Sequence, residues 1–103
     1  MFTKRFFKTK NEVEVTFQWP KGDSDVKTVA ISGDFNDWQA TPLKLNRQKV
    51  FTTKIRLPKN AQFQFRYILD DSVWENDHQA DAYVPNGQGS DNSVINTYQE
   101  VEA

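Results

Sequence analysis

Three side chains in this sequence have types and spacing suited to a flat, hydroxylated ligand: Trp38, Arg66 and Trp74. Trp38 closes the hexapeptide Gly33-Asp34-Phe35-Asn36-Asp37-Trp38, which follows an apolar alternating run and precedes Thr41-Pro42. It therefore reads as the turn that ends a strand. Only one of its two aromatics can easily face inward from a strand end. Burying Phe35 would turn Trp38 outward; the ordinary alternative is a tryptophan with much of its ring in the core. An outward indole offers a π-face to the axial C–H groups of a pyranose and suits a half-wet contact. Arg66 falls on the polar parity of its strand, where its fork of donors can hold two hydroxyls, or a hydroxyl and a ring oxygen. The competing reading is a solvated arginine paired with a neighbouring carboxylate. Trp74 lies just past a turn, and the local pattern leaves open whether its ring is half-buried or offered to a ligand. Trp19 continues the apolar face of its strand and belongs to the core or its edge.

Carboxylates are plentiful (Asp34, Asp37, Asp70, Asp71, Asp77, Asp81, Asp91). Glycoside hydrolysis needs two of them flanking a bound sugar in a cleft. Most of these sit in turns, where Asp is favoured for local backbone hydrogen bonds, and Asp70-Asp71 is more simply a turn than an acid/base pair. Asp77 and Asp81 suggest a Ca²⁺ reading, but their spacing does not follow the EF-hand loop. There is no cysteine and only one histidine, His78. No phosphate-cradling glycine loop and no supported Ser/His/Asp order is present. The expectation is a protein without catalytic activity, cofactor or metal.

The chain has 103 residues, a length that fits one domain over residues 1–103. Such a chain hides roughly 60–70% of its unfolded surface, enough for one core but not for a deep enclosed active site. Charged residues make up 26%, the net charge is −1, and both signs are interspersed along the sequence. That balance argues against nucleic acid as a partner and gives no sign of attraction to an acidic membrane. The basic, aromatic start (Lys4, Arg5, Phe6, Phe7, Lys8, Lys10) reads as a solvated edge strand rather than a nucleic-acid arm. No apolar stretch approaches the ~20 residues that span a bilayer. The first residues lack the uninterrupted apolar region of a secretory signal. A cytoplasmic location is the default expectation.

The elements that must position these residues are strands. Val13, Val15, Phe17 and Trp19 alternate with Glu12, Glu14, Thr16 and Gln18, the mark of a strand with one buried and one wet face. Pro20-Lys21-Gly22-Asp23 ends it. Further strands are expected over 26–32, 49–57 and 63–69, with Val73-Trp74-Glu75 as the return of a hairpin closed by Asp70-Asp71-Ser72. Ser93 to Gln99 makes the last strand, and Lys4 to Thr9 an edge strand blunted by its basic residues. Residues 76–92 read as one long irregular loop, and long loops in compact domains are more often functional than short ones. No window keeps a helical period. The fold class is all-β: an antiparallel sandwich of about seven to eight strands.

Three segments resemble a known family. Gly33 to Trp38, Phe65-Arg66-Tyr67-Ile68-Leu69-Asp70-Asp71-Ser72-Val73-Trp74, and Gly89-Ser90-Asp91-Asn92-Ser93-Val94 are similar, in order and spacing, to carbohydrate-binding module family 48. This family includes the glycogen-binding domain of the AMP-activated protein kinase β subunit and the early-set domains before the barrel of isoamylase and branching enzymes. The similarity runs from Val29 to Thr97, and the short chain resembles stand-alone members.

The resemblance implies an immunoglobulin-like sandwich of early-set type that binds α-1,4-glucans such as glycogen, starch or maltooligosaccharides. Trp38 and Trp74 would stack on glucose rings, Arg66 and Asn92 would bond hydroxyls, and Ser90 would help at the rim. The alternative it implies is an accessory module that docks a glucan-metabolising enzyme of the family 13 type, or another protein, with a vestigial sugar site. Four departures stand out. Arg66 replaces a common Lys, Asp71 stands where Gly is expected, and the polar Gln88 lies near a position that is bulky and apolar in the kinase-type domains. One extra residue precedes Trp74, and in a two-residue period a shift of one would turn the ring to the other face.

Overall fold

The computed structural model describes residues 1–98 and contains ten strands in two antiparallel sheets. The strands are β1 (Phe2–Phe6), β2 (Glu12–Pro20), β3 (Val29–Gly33), β4 (Thr41–Pro42), β5 (Lys44–Leu45), β6 (Val50–Pro58), β7 (Gln62–Leu69), β8 (Val73–Glu75), β9 (Ala82–Pro85) and β10 (Asp91–Asn96). One sheet has the order β1-β2-β6-β5. The other runs β4-β3-β7-β10-β9, with β8 added to β7. The architecture is the expected immunoglobulin-like sandwich, with more strands than the seven or eight expected. The surplus comes from two-residue strands β4 and β5, too short to show an alternation, and from β9, which interrupts the expected long loop over 76–92. The edge strand starts two residues early and stops at Phe6, and the last strand spans Asp91–Asn96. Gln99, the expected end of that strand, lies outside the described residues.

The period-two pattern explains the core. Val13, Val15 and Phe17 of β2 are buried against Val29 and Ile31 of β3, Phe65 and Tyr67 of β7, and Ile95 of β10. Phe17 meets Phe2, Phe35 and Phe65 at ring-centroid distances of 6.0, 5.5 and 5.3 Å, a geometry that adds to simple area burial. Trp19 lies at the core edge, half-buried with its ring 5.1 Å from Tyr67 and 5.8 Å from His78.

The interspersed charge of the sequence does not survive folding. Residues 1–14 and 44–59 carry ten of the thirteen Lys and Arg but only Glu12 and Glu14 of the fourteen acids. Those residues supply β1, β5, β6 and the start of β2, all in the four-stranded sheet. Two distant segments of like charge are thus joined by strand pairing, which no count along the chain registers.

Candidate functional site

The site is organised around Arg66 on β7. One edge of β7 pairs with β3 over residues 65–69, placing Ser32 opposite Arg66. The other edge is shared: β10 covers Gln62–Phe65, and β8 covers Tyr67–Leu69. Arg66 stands at the seam. Side chains of one parity in a strand share a face, so Gln64, Arg66 and Ile68 point away from the core that Phe65 and Tyr67 fill. Trp74 pairs with Ile68, and the β7–β10 register runs on to Asn92 beside Arg66. Trp74 therefore shares the outer face with Arg66.

The three residues Asp70, Asp71 and Ser72 form the turn before Trp74 and leave the β7–β8 pairing intact. Asp70 and Asp71 both take positive φ (51° and 62°), and Ser72 N–H donates to the Leu69 carbonyl at 3.1 Å. Leu69 still pairs with Val73 beyond it. Asp tolerates the left-handed region better than most residues, so Asp71 serves where Gly was expected. Asp70 has a second duty: its Oδ1 accepts the backbone N–H groups of Lys27 (2.7 Å) and Thr28 (3.0 Å). These bonds hold its carboxyl below the usual carboxylate range. The pair is a turn, as its sequence suggested.

Trp38 reaches the same face from β3. The turn Asp34–Asn36 sends Phe35 inward onto Phe17 and leaves Trp38 38% exposed. Asn36 fixes the corner, accepting from Gly33 N–H at 2.9 Å and donating to the Ile31 carbonyl and Thr41 Oγ1 at 3.1 and 3.0 Å. Asp34 fixes the ring: Trp38 Nε1 donates to Asp34 Oδ1 at 3.0 Å, and Gln64 N–H donates to Asp34 Oδ2 at 2.7 Å.

Trp38, Arg66, Trp74 and Asn92 line one shallow concavity of about 440 Å³, together with Asn86 and Gln88. Trp74 is 44% exposed, while Asn92 is buried and donates through Nδ2 to Gln64 Oε1 at 3.0 Å. That bond leaves the Asn92 carbonyl oxygen and the Gln64 amide donors for other partners. Arg66 pairs with no carboxylate among the described residues, and its buried Nε has no hydrogen-bond partner there. Ser90 is not on the lining. Its Oγ accepts from Asn86 Nδ2 at 2.8 Å, and Gln88 N–H donates to Asn86 Oδ1 at 2.9 Å. Ser90 thus acts on the rim through Asn86. Asn86 and Gln64 escaped the sequence reading, although Gln64 shares the parity of Arg66 and Asn86-Gly87 carries a turn signal.

Among the described residues no carboxylate lines the concavity. Asp77 is fully buried, facing the amino group of Met1 and accepting from Tyr67 Oη at 3.1 Å. Burial, reinforced by that carboxylate, pushes the Tyr67 hydroxyl far above its ordinary range. Asp81 pairs with Lys4 at 2.7 Å. Among the described residues no group of three potential ligands could hold a metal ion. A larger hollow of about 570 Å³, lined by residues such as Phe2, Gln18 and His78, has neither tryptophan nor arginine in its wall.

Residues 13–102 match the family described as the glycogen recognition site of AMP-activated protein kinase, and the chain belongs to that family. It is also 40% identical over 63 residues to a Saccharomyces cerevisiae protein named cruciform DNA-recognizing protein 1, in strains RM11-1a, JAY291 and Lalvin EC1118. The aligned part covers 57% of this chain and 13% of those relatives, so the chain corresponds to a small part of their length.

Proposed function

We propose that the face formed by Trp38, Arg66, Trp74 and Asn92 binds α-1,4-glucan chains, such as glycogen or maltooligosaccharides, without acting on them. One observation carries the reading: two exposed indoles, an arginine with no carboxylate partner among the described residues, and Asn92, whose amide is held by Gln64, line one concavity. The indoles stack on glucose faces, while Arg66 and Asn92 hold the hydroxyls at the ring edges. Asn86, braced by Ser90, closes the rim. That the described lining holds no carboxylate supports binding over hydrolysis. Glycogen as ligand would place the chain in the cytoplasm.

A shallow platform with few hydrogen bonds binds weakly, with Kd on the order of 10 µM to 1 mM. Titration with maltoheptaose should move the indole N–H resonances of Trp38 and Trp74 and leave that of Trp19 in place. Unmoved indoles at millimolar sugar would overturn the reading. A stoichiometric protein partner, insensitive to both glucan and Trp38→Ala, would favour the accessory-module alternative instead.

A further inference from the structure

Two buried side-chain polar atoms among the described residues have no hydrogen-bond partner: Ser32 Oγ and Arg66 Nε. They belong to residues that face each other across β3 and β7. Directly opposed side chains of an antiparallel pair share a face and stand about 5 Å apart at Cβ. Ser32 therefore lies on the outer face, beside the base of Arg66. It is fully buried and takes no part in the wall of the concavity. A ligand there meets the Arg66 side chain and not the serine next to it.

The two residues differ in freedom. The backbone of Ser32 is pinned on both sides by Asn36, which donates to the Ile31 carbonyl at 3.1 Å and accepts the Gly33 N–H at 2.9 Å. Its hydroxyl is thus a fixed post on β3. Arg66 carries its charge on a long side chain that no carboxylate among the described residues holds. A buried donor or acceptor left unsatisfied carries a desolvation cost, and here one of each bears it side by side. The Nε–H can only donate and the hydroxyl can accept, so one bond would give both a partner.

We propose that Ser32 is a positioning residue of the glucan site: its Oγ accepts the Arg66 Nε–H when glucan engages the guanidinium. The proposal rests on the glucan reading of the concavity and adds to it a residue that touches no ligand. The guanidinium is a rigid plane, so a hold at Nε also sets the direction of its two terminal nitrogens. A sugar bound to those nitrogens alone would leave the plane free to tilt. The bond removes that freedom and relieves two unsatisfied atoms in the bound state. Lysine has no donor midway along its side chain, which gives Arg66 a consequence beyond its charge.

Calorimetric titration with maltoheptaose and thermal melts of the same variants test the pairing. Ser32→Ala should weaken binding about fivefold. Its melting temperature should equal or exceed that of the parent, because a buried hydroxyl without a partner is removed. An ordinary packing serine would do the reverse, lowering the melting temperature and sparing affinity. In an Arg66→Lys background, weaker from the start, Ser32→Ala should cost nothing further. The Arg66 Nε–H resonance should move with sugar in the parent, a readout that needs no variant to fold, and should stay in place in Ser32→Ala. The proposal is overturned by a Ser32→Ala chain that binds like the parent, or by an equal loss with and without Arg66→Lys. An Nε–H resonance unmoved by sugar in the parent, as a water bridging the pair in both states would give, overturns it as well. If the parent's Trp38 and Trp74 indoles ignore maltoheptaose, the glucan reading fails and this proposal with it. If they respond while Ser32→Ala binds like the parent, this proposal fails alone.

Discussion

Asp34 is the clamp on Trp38. One carboxylate oxygen accepts the indole N–H at 3.0 Å, and the other accepts the backbone N–H of Gln64, tying the ring to the strand that carries Arg66. The indole N–H is therefore committed to the protein, and Trp38 has only its face to offer a ligand. Asp34→Ala should free the ring and weaken maltoheptaose binding severalfold, with a stability loss of about 1 kcal/mol from the lost hydrogen bonds. Calorimetric titration and thermal melts of the same variant separate the two effects.

Trp38→Ala and Trp74→Ala remove ring area that is already more than a third exposed. Each should reduce glucan affinity about tenfold or more, equal to 1.4 kcal/mol or above, while the melting temperature stays near that of the parent. A large fall in melting temperature would instead assign the ring a packing role.

The strands and core were legible because burial on one face imposes a period of two, as in Val13 to Trp19 and Phe63 to Leu69. The sequence also announced the inward Phe35 and outward Trp38, since a strand end has room for one ring inside. What escaped it depends on partners distant in the chain. Gln64 gains its role only when β10 brings Asn92 to it, and Asn86 only when Ser90 braces it. β9 shows no strand signal in the sequence, because Ala82–Pro85 is short and ends in Pro. The basic sheet was invisible in the composition because its two halves, 1–14 and 44–59, balance acids elsewhere.

Gly33 begins the most informative motif for a steric reason. Its φ of −170° is ordinary extended backbone, but an added Cβ would lie 2.6 Å from the Gln64 carbonyl oxygen and 2.8 Å from Phe65 Cβ. The first obstacle is backbone, which cannot swing aside as a flexible side chain would. Gly33→Ala should destabilise by about 1–3 kcal/mol, lowering the melting temperature by about 4–8 °C per kcal/mol. Because β7 must move to make room, glucan affinity should fall in the same variant.

Acid should unfold the chain in part through Asp70. The backbone N–H groups of Lys27 and Thr28 favour its charged form, so its folded pKa lies below the unfolded value, which is about 3.9. A depressed carboxylate pKa contributes stability that is complete above the unfolded value and is lost as pH falls through the folded one. Urea midpoints measured between about pH 5 and pH 2 should therefore fall more steeply for the parent than for Asp70→Asn. Parallel slopes would show that other carboxylates dominate the acid limb.

The turn before Trp74 makes a sharper test of how the second indole is aimed. A one-residue change inside a strand exchanges its two faces, yet Ser72 lies in the turn, not in the ladder. Leu69 N-terminal to it already pairs with Val73 on its far side, and Ile68 with Trp74. Deleting Ser72 would leave Asp70-Asp71 as a two-residue loop whose positive φ angles match the favoured hairpin turn. Leu69 would still face Val73, and Trp74 would stay opposite Ile68. The deletion should therefore keep maltoheptaose affinity within about threefold of the parent. Inserting one Gly between Val73 and Trp74 should turn the indole toward the core side and reduce binding as far as Trp74→Ala does. If the deletion abolished binding and the insertion spared it, Trp74 would be positioned by something other than its pairing with β7.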